Sequence, residues 1–370
     1  MESRNDCNQP RVDSRIYLDH AATMAMLPQA RAVMVQALEN WANPSSVHSE
    51  GRAAHSRLEQ ARRQLLFALG QADARLVFTS GASEAIAIAM QRSQCDHLLV
   101  GATEHDAVLR QAPDAPRIPV QPSGIVDRAS LADLLATTGP STLVAVQHVN
   151  NETGVIQPVE DIAALCAAHG ALLMVDAAQS AGKMPLPMAD MLVVSAHKLG
   201  GAPGTGALIL RDDRLIRATG GQERGLRGGT ENLPAILSFA AAAETVGGVM
   251  ADAAVLRDRL EQALIDSGGR IVAAEAPRVD WIVAIAMPGV PAATQLMHFD
   301  MHGIAVSAGA ACSSGSMKAS HVLRAMGMDA RQAGEVIRIS FGPGSSADDI
   351  DRFIAAWRAL FARAGGAVQP

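Results

Sequence analysis

ALLMVDAAQSAGKMPLPMADMLVVSAHKLGG, residues 171–201, contains two short apolar runs at 172–176 and 192–195, each closed by a polar residue. Both are continuous rather than alternating and are bounded by Gly, Pro and Asp, the pattern of strands buried on both faces of a parallel sheet. The first delivers Asp176-Ala177-Ala178-Gln179 to a strand end, and the second delivers Ser195-Ala196-His197-Lys198. Working outward, further runs at 76–79, 98–101, 143–148 and 206–210 alternate with longer Ala-rich helical patterns between about Leu58 and Ala243. That rhythm predicts an α/β fold with crossover helices. Almost every polar residue of interest stands at or just beyond the C-terminal end of a run, where open α/β sheets bind ligands.

The chain has 370 residues, beyond the size at which one core usually stops growing, so two packed domains are expected. A boundary is placed in the glycines near 248, after an Ala-rich helix. Residues 1–24 then form an arm, 25–248 a large domain, and 249–370 a smaller α+β domain with strands around 281–286, 304–307 and 336–340. The composition, 49% hydrophobic and only 3% aromatic, suits helices packed on a buried sheet. A net charge of -6 with mixed signs offers no basic stripe for nucleic acid and no polybasic membrane patch, so a small substrate is expected. The polar start has no apolar leader and no run approaches membrane-spanning length, which reads as a cytoplasmic protein with a loose N-terminal tail. Cys7, Cys95, Cys166 and Cys312 are scattered, with no metal or disulfide spacing.

A lysine at a strand end is ordinarily just solvated, but Lys198 is flanked by Ser195 and His197, donors that a phosphate-bearing cofactor needs beside a reactive amine. Asp176 could merely cap a helix; alternatively a buried carboxylate there holds a pyridine nitrogen protonated. Thr79-Ser80-Gly81-Ala82-Ser83-Glu84 runs from a strand through a Gly turn into a helix, whose free amides favour an anion. Glu104-His105 follows the run at 98–101. A lone His is usually structural, yet this one could stack on an aromatic cofactor and move protons. Asn151, in the turn Asn150-Asn151-Glu152-Thr153-Gly154, would offer a neutral donor to a substrate carboxylate, although such a turn needs Asn and Gly in any case.

These elements, with Asp19-His20-Ala21-Ala22-Thr23, Asn43-Pro44-Ser45-Ser46, Gln222-Glu223-Arg224-Gly225, Gly229-Thr230-Glu231-Asn232 and Ala311-Cys312-Ser313-Ser314-Gly315, resemble in order the cysteine desulfurases of the class V aminotransferase group. The resemblance implies a fold-type I homodimer that binds pyridoxal 5'-phosphate, with a mostly parallel seven-stranded sheet in the large domain. It implies Lys198 as the cofactor-bonding lysine, Asp176 on the pyridine nitrogen, Gln179 on the phenolic oxygen and His105 as the stacked acid/base. Ala82, Ser83, Ser195 and His197 match the phosphate cradle, which Thr230 of the neighbouring subunit completes. Asn151 and Arg338 match the groups that hold the carboxylate of L-cysteine, and Cys312 matches the nucleophile that takes its sulfur as a persulfide. An acceptor protein, such as an iron-sulfur scaffold, a tRNA-thiolating protein or a nitrogenase-maturation partner, is the implied destination.

Cys312 lies among Ala, Gly and Ser with little to bury, so a packing role is poorly supported, whereas Cys166 sits in an apolar helix, Cys95 at a helix end and Cys7 in the tail. A class V aminotransferase or a selenocysteine lyase on the same scaffold is the alternative enzyme; the former has no use for Cys312. A non-catalytic sulfur-carrying scaffold is a third reading, opposed by Lys198, Asp176 and His105. Departures from the resembling pattern are His20 where Asn is commoner, Ser83 for Thr, Gly342-Pro343-Gly344 where an Arg and an aromatic are frequent, and a short connection from Gly182 to Met191. The polar, Gly-rich 222–232 stretch is expected to lie outside the core.

Overall fold

The computed structural model describes residues 15–309 and 319–365. Strand β1 (Ile16–Tyr17) opens the described chain. The main sheet is built from β2 (Arg75–Thr79), β3 (His97–Gly101), β4 (Arg117–Ile118), β5 (Thr142–Gln147), β6 (Leu172–Asp176), β7 (Met191–Ser195) and β8 (Gly206–Leu210). Its spatial order is β2-β8-β7-β6-β5-β3-β4. Strand β8 runs antiparallel to both neighbours and the other pairs are parallel, so the expected mostly parallel seven-stranded sheet is present. Alternation does the sorting: Phe78, Val146, Val175 and Val194 join the core on one face, while Val77, Ala145, Met174 and Val193 join that on the other. The two-residue edge strand β4 gave no run because Pro116 and Pro119 enclose it.

Beyond this sheet come β9 (Arg270–Ile271), β10 (Ile282–Ala286), β11 (Ile304–Ala305) and β12 (Val336–Ser340). Strands β12, β10 and β9 pair antiparallel, and β1 pairs in parallel with β11. The arm therefore reaches across to the C-terminal part, and a bridge between Asp19 and Ser340 extends the contact. Helix Ala347–Arg363 closes that part. It starts in a capping box between Ser346 and Asp349 and buries Ile350, Phe353, Trp357 and Phe361.

Two expectations are corrected. The stretch Leu233–Met250 is, at 18 residues and a mean hydropathy of 1.5, long and apolar enough to cross a membrane, contrary to the sequence reading; 56% of it is buried inside the protein. Its helical part, Leu233–Thr245, packs on helices Pro28–Glu39 and Ser49–Ala68, which explains its apolar character without a bilayer. The 222–232 stretch is also not wholly outside the core. Glu223 is buried and paired with Arg62 at 2.7 Å, the two side chains being 1% and 8% exposed, and it also accepts from the Phe78 amide at 2.9 Å. Arg62 in turn donates to the Leu76 carbonyl at 2.7 Å. A polar sequence conceals this anchor because its partners lie far away in the chain.

Removing Glu223 takes away one of the two acids paired with Arg62, which keeps Glu59 at 3.0 Å, and leaves the buried Phe78 amide without its acceptor. Glu223→Ala is therefore expected to destabilise the cofactor-free protein by about 1–3 kcal/mol, read as a shift of its urea unfolding curve to lower denaturant. An unshifted curve would show that the pair contributes little.

Candidate active site

Lys198 ends a short 3-10 turn, Ala196–Lys198, directly after β7. The arm clamps this turn: the Met24 amide donates to the His197 carbonyl at 2.9 Å, and Thr23 Oγ1 lies 2.9 Å from His197 Nδ1. Gly200 follows in the left-handed region (φ +87), and a Cβ there would stand 2.6 Å from the Leu27 side chain, so glycine suits both conformation and space. The Lys198 amine donates to the Ala21 carbonyl at 2.5 Å. Burial and the nearby Arg338 charge lower its pKa to about 8, with Asp176 and Asp19 opposing. A substantial fraction of neutral amine is therefore present near physiological pH.

Asp176 is buried at the end of β6, and its Oδ1 accepts from the Ala178 amide at 2.9 Å. Turns rather than a helix follow, so helix capping is not its role. Burial raises its pKa, against the Ala178 hydrogen bond and the charges of His105 and Lys198. Gln179 donates through Nε2 to the Ala21 carbonyl at 2.9 Å, while its buried Oε1 has no partner. His105 caps the short helix Asp106–Leu109, Nδ1 accepting from Ala107 at 3.1 Å. Burial lowers its pKa; Asp176 opposes this and Lys198 reinforces it. Beside it Glu104 is fully buried, and desolvation raises its carboxyl well above the usual carboxylate range.

Sheet register brings a third group together. Thr79 pairs with Gly206, and Gly206 pairs with Ser195. A Cβ on Gly206 would lie 2.7 Å from the Gly81 Cα, so the start of helix Ala82–Arg92 comes down against the end of β7. Gly81 is the cap residue and no side chain caps that helix, which rules out a capping role for Ser83. Ser195 Oγ is buried without a partner.

Arg338, on β12, donates through Nη1 to the Asn151 carbonyl at 2.9 Å and through Nη2 to Asp19 Oδ1 at 2.6 Å; its buried Nε has no partner. Asn151 thus orients Arg338 through its backbone. Thr230 is exposed, and Cys312, like Cys7, lies outside the described residues. Cys166 is buried, which pushes its thiol up to about 12, and Cys95 is raised by burial as well. Among the described residues no cluster of His, Cys, Asp or Glu could hold a metal. Sequence reasoning missed the roles of Asp19, the Ala21 carbonyl and Lys183, whose Nζ donates to the Lys198 carbonyl at 3.2 Å. Asp19 and Ala21 were visible only as part of the Asp19–Thr23 motif.

The Aminotransferase class-V family matches residues 16–353. A cysteine desulfurase of Cereibacter sphaeroides is 38% identical, covering 92% of this chain and 94% of its own. The chain belongs to this family, among its cysteine desulfurases. An IscS-like cysteine desulfurase of Mycobacterium tuberculosis is 32% identical over 94% of this chain and 96% of its own. A NifS-like protein from Rickettsia africae superposes with a TM-score of 0.87 at 31% identity, covering 94% and 99% of the two chains. SspA in complex with cysteine superposes with a TM-score of 0.76 at 28% identity, covering 90% and 100%.

Cysteine desulfurases of this family depend on pyridoxal phosphate, and the residues fit that group. A partly neutral amine, a buried carboxylate favoured by a cationic partner, a helix N-terminus and an unpaired serine hydroxyl match its aldehyde, ring nitrogen and phosphate. The Gln179 donor is engaged with Ala21 here, leaving its carbonyl oxygen unpaired.

Only a neutral amine attacks an aldehyde. Covalent capture of pyridoxal phosphate by the cofactor-free protein, fixed with borohydride, is expected to quicken as pH rises through about 8 and then level off. The modified peptide should carry Lys198; a pH-independent rate would place the reacting amine elsewhere. Arg338→Ala is expected to raise KM for cysteine about tenfold or more, the loss of a hydrogen bond to a charged group, while cofactor retention survives. An unchanged KM would move carboxylate recognition away from β12.

Proposed function

We propose that this desulfurase converts L-cysteine to L-alanine by passing the sulfur to Cys312 as a persulfide, and that it works as a cytoplasmic homodimer serving an acceptor protein such as an iron-sulfur scaffold. The observation carrying this reading is that both ends of the segment holding Cys312 join the site. Ser307 exchanges backbone hydrogen bonds with Arg338 at 2.7 and 3.1 Å, and the His321 ring lies 2.8 Å from the Glu104 carbonyl oxygen. The likeness to SspA, solved with cysteine, supports the same substrate.

Bound pyridoxal phosphate supplies an electron sink for the substrate carbons. The chain does the rest. Arg338, held by Asn151 and Asp19, retains its Nε for the substrate carboxylate. Lys198, near a pKa of about 8, can take a proton from a substrate carbon and return one. Cys312 reacts as a thiolate, and since an ordinary thiol has a pKa of about 8.5, its proton needs an acceptor; His105 takes that part only by giving up the hydrogen bond that its Nδ1 accepts from the Ala107 amide. The Cβ–S bond of cysteine breaks as the S–S bond to Cys312 forms. Carbon is reduced as the sulfur is oxidised, and the protons of the two thiols suffice for alanine and the persulfide, so no outside oxidant enters.

Support for the dimer comes from the exposed Val35, Leu38, Trp41, Val47 and Phe67, on or between two helices consecutive in the chain, an apolar surface that a second copy would cover; Thr230 is exposed as well, as reaching into a second chain requires. A reducing compartment suits a working thiol. Cys312→Ser tests the proposal: the cofactor and its spectral response to cysteine should persist while alanine output and persulfide labelling disappear. Both proteins should sediment at twice the 38.5 kDa chain mass. Persulfide on another cysteine with turnover intact would reject the role of Cys312, and a monomer would reject the shared site.

A further inference from the structure

Glu152 belongs to the Asn150–Gly154 turn and is 5% exposed. Asn150 fixes the turn, its Oδ1 accepting from the amides of Glu152 and Thr153 at 2.9 Å each. The Glu152 carboxylate then touches both described ends of the interval that holds Cys312. Ser320 Oγ donates to Oε2 at 2.6 Å, and the same hydroxyl caps the following helix by accepting from Leu323 at 3.1 Å. From the other end Gly309 passes so close that a Cβ would lie 2.0 Å from Oε2 and 3.2 Å from the Ser320 Cβ. Space alone demands glycine there, since its backbone is not left-handed.

One carboxylate thus brings residues 309 and 320 together, and the next residue back, Asn151, holds Arg338 through its carbonyl. An acid is a costly filler for such a place, because burial lifts it to about 7 despite the Ser320 hydrogen bond and the charges of His321 and Arg338. We infer that Glu152 is a positioning residue that fixes where Gly309 and Ser320, the described residues on either side of the interval that holds Cys312, stand relative to Arg338, and that sulfur transfer to Cys312 depends on it. The inference rests on Cys312 being the sulfur acceptor. Among the described residues the Glu152 carboxylate is hydrogen-bonded to Ser320, which holds neither substrate nor cofactor, so its effect is expected in the sulfur-transfer step and not in substrate binding.

The test uses holoenzyme and reads three quantities: the cofactor spectral change on adding cysteine, KM, and the rate of alanine formation. Glu152→Ala is expected to lower kcat by about 10- to 100-fold, the scale of a displaced reacting group, with the spectral change and KM preserved. Glu152→Gln should recover most of the rate, because its amide oxygen still accepts from Ser320. Gly309→Ala should lower kcat in the same way by crowding the carboxylate. In the double variant Glu152→Ala/Gly309→Ala the added methyl has room, so the two losses should not multiply. A wild-type kcat in Glu152→Ala or in Gly309→Ala, or losses that multiply in full, would overturn the inference. If Glu152→Ala does not fold, Gly309→Ala alone decides. Cys312→Ser is run alongside: full alanine output there would remove the reading beneath the inference, whereas an inactive Cys312→Ser with a normal Glu152→Ala removes the inference alone.

Discussion

Taking the Lys198 amine out of water, beside the Arg338 guanidinium, holds its pKa near 8, and the rest of the site is arranged around that desolvated amine. It reaches the Ala21 carbonyl, which also accepts from Gln179, so one backbone oxygen of the arm gathers donors from both strand ends. That oxygen is positioned by the pairing of β1 with β11 and by the Asp19–Ser340 bridge. The N-terminal arm, the end of the main sheet and the C-terminal strands are consequently parts of one site. Disturbing any one of them displaces the carbonyl against which the amine rests.

The legible part of the sequence was the part where burial writes a local pattern. Strands β6 and β8 were read to the residue, and β2, β3 and β7 to within one, because each is a continuous apolar run that stops at a polar residue or, in β3, at a glycine. Their ends carry Lys198, Asp176 and Ser195, so the cofactor side of the site could be read as well. What escaped were interactions between residues distant in the chain. Asp19 meets Arg338 across 319 positions and Glu223 meets Arg62 across 161, and nothing in the local composition of either acid signals its partner. Glu152 was likewise quoted as part of a turn, while its contacts with Gly309 and Ser320 exist only in three dimensions.

Two positions singled out as departures, His20 and Gly342, turn out to touch. A Cβ on Gly342 would lie 2.2 Å from His20 Nδ1, so the ring occupies the space that a side chain at 342 would need. The imidazole is buried, set edge-on to Tyr17 with 4.9 Å between ring centroids, and burial lowers its pKa to about 4. It is therefore a neutral, space-filling group next to Ala21, and the missing side chain at 342 is the steric condition for it.

Neutrality at His20 matters because of the charges nearby. Lys183 donates to the Lys198 carbonyl at 3.2 Å, lies 5.4 Å over the Trp281 ring, and is lowered to about 7 by burial and by Lys198. With Arg338 also lowering Lys198, three basic side chains crowd a region that Asp176 and Asp19 only partly balance. Arg338 disfavours protonation of Lys198, and Lys198 that of Lys183, and an arriving anion offsets both effects. A substrate carboxylate and a cofactor phosphate are both anions. The charge pattern that keeps Lys198 partly neutral before binding is thus the same one that attracts the ligands, so a single electrostatic imbalance contributes to both reactivity and recognition.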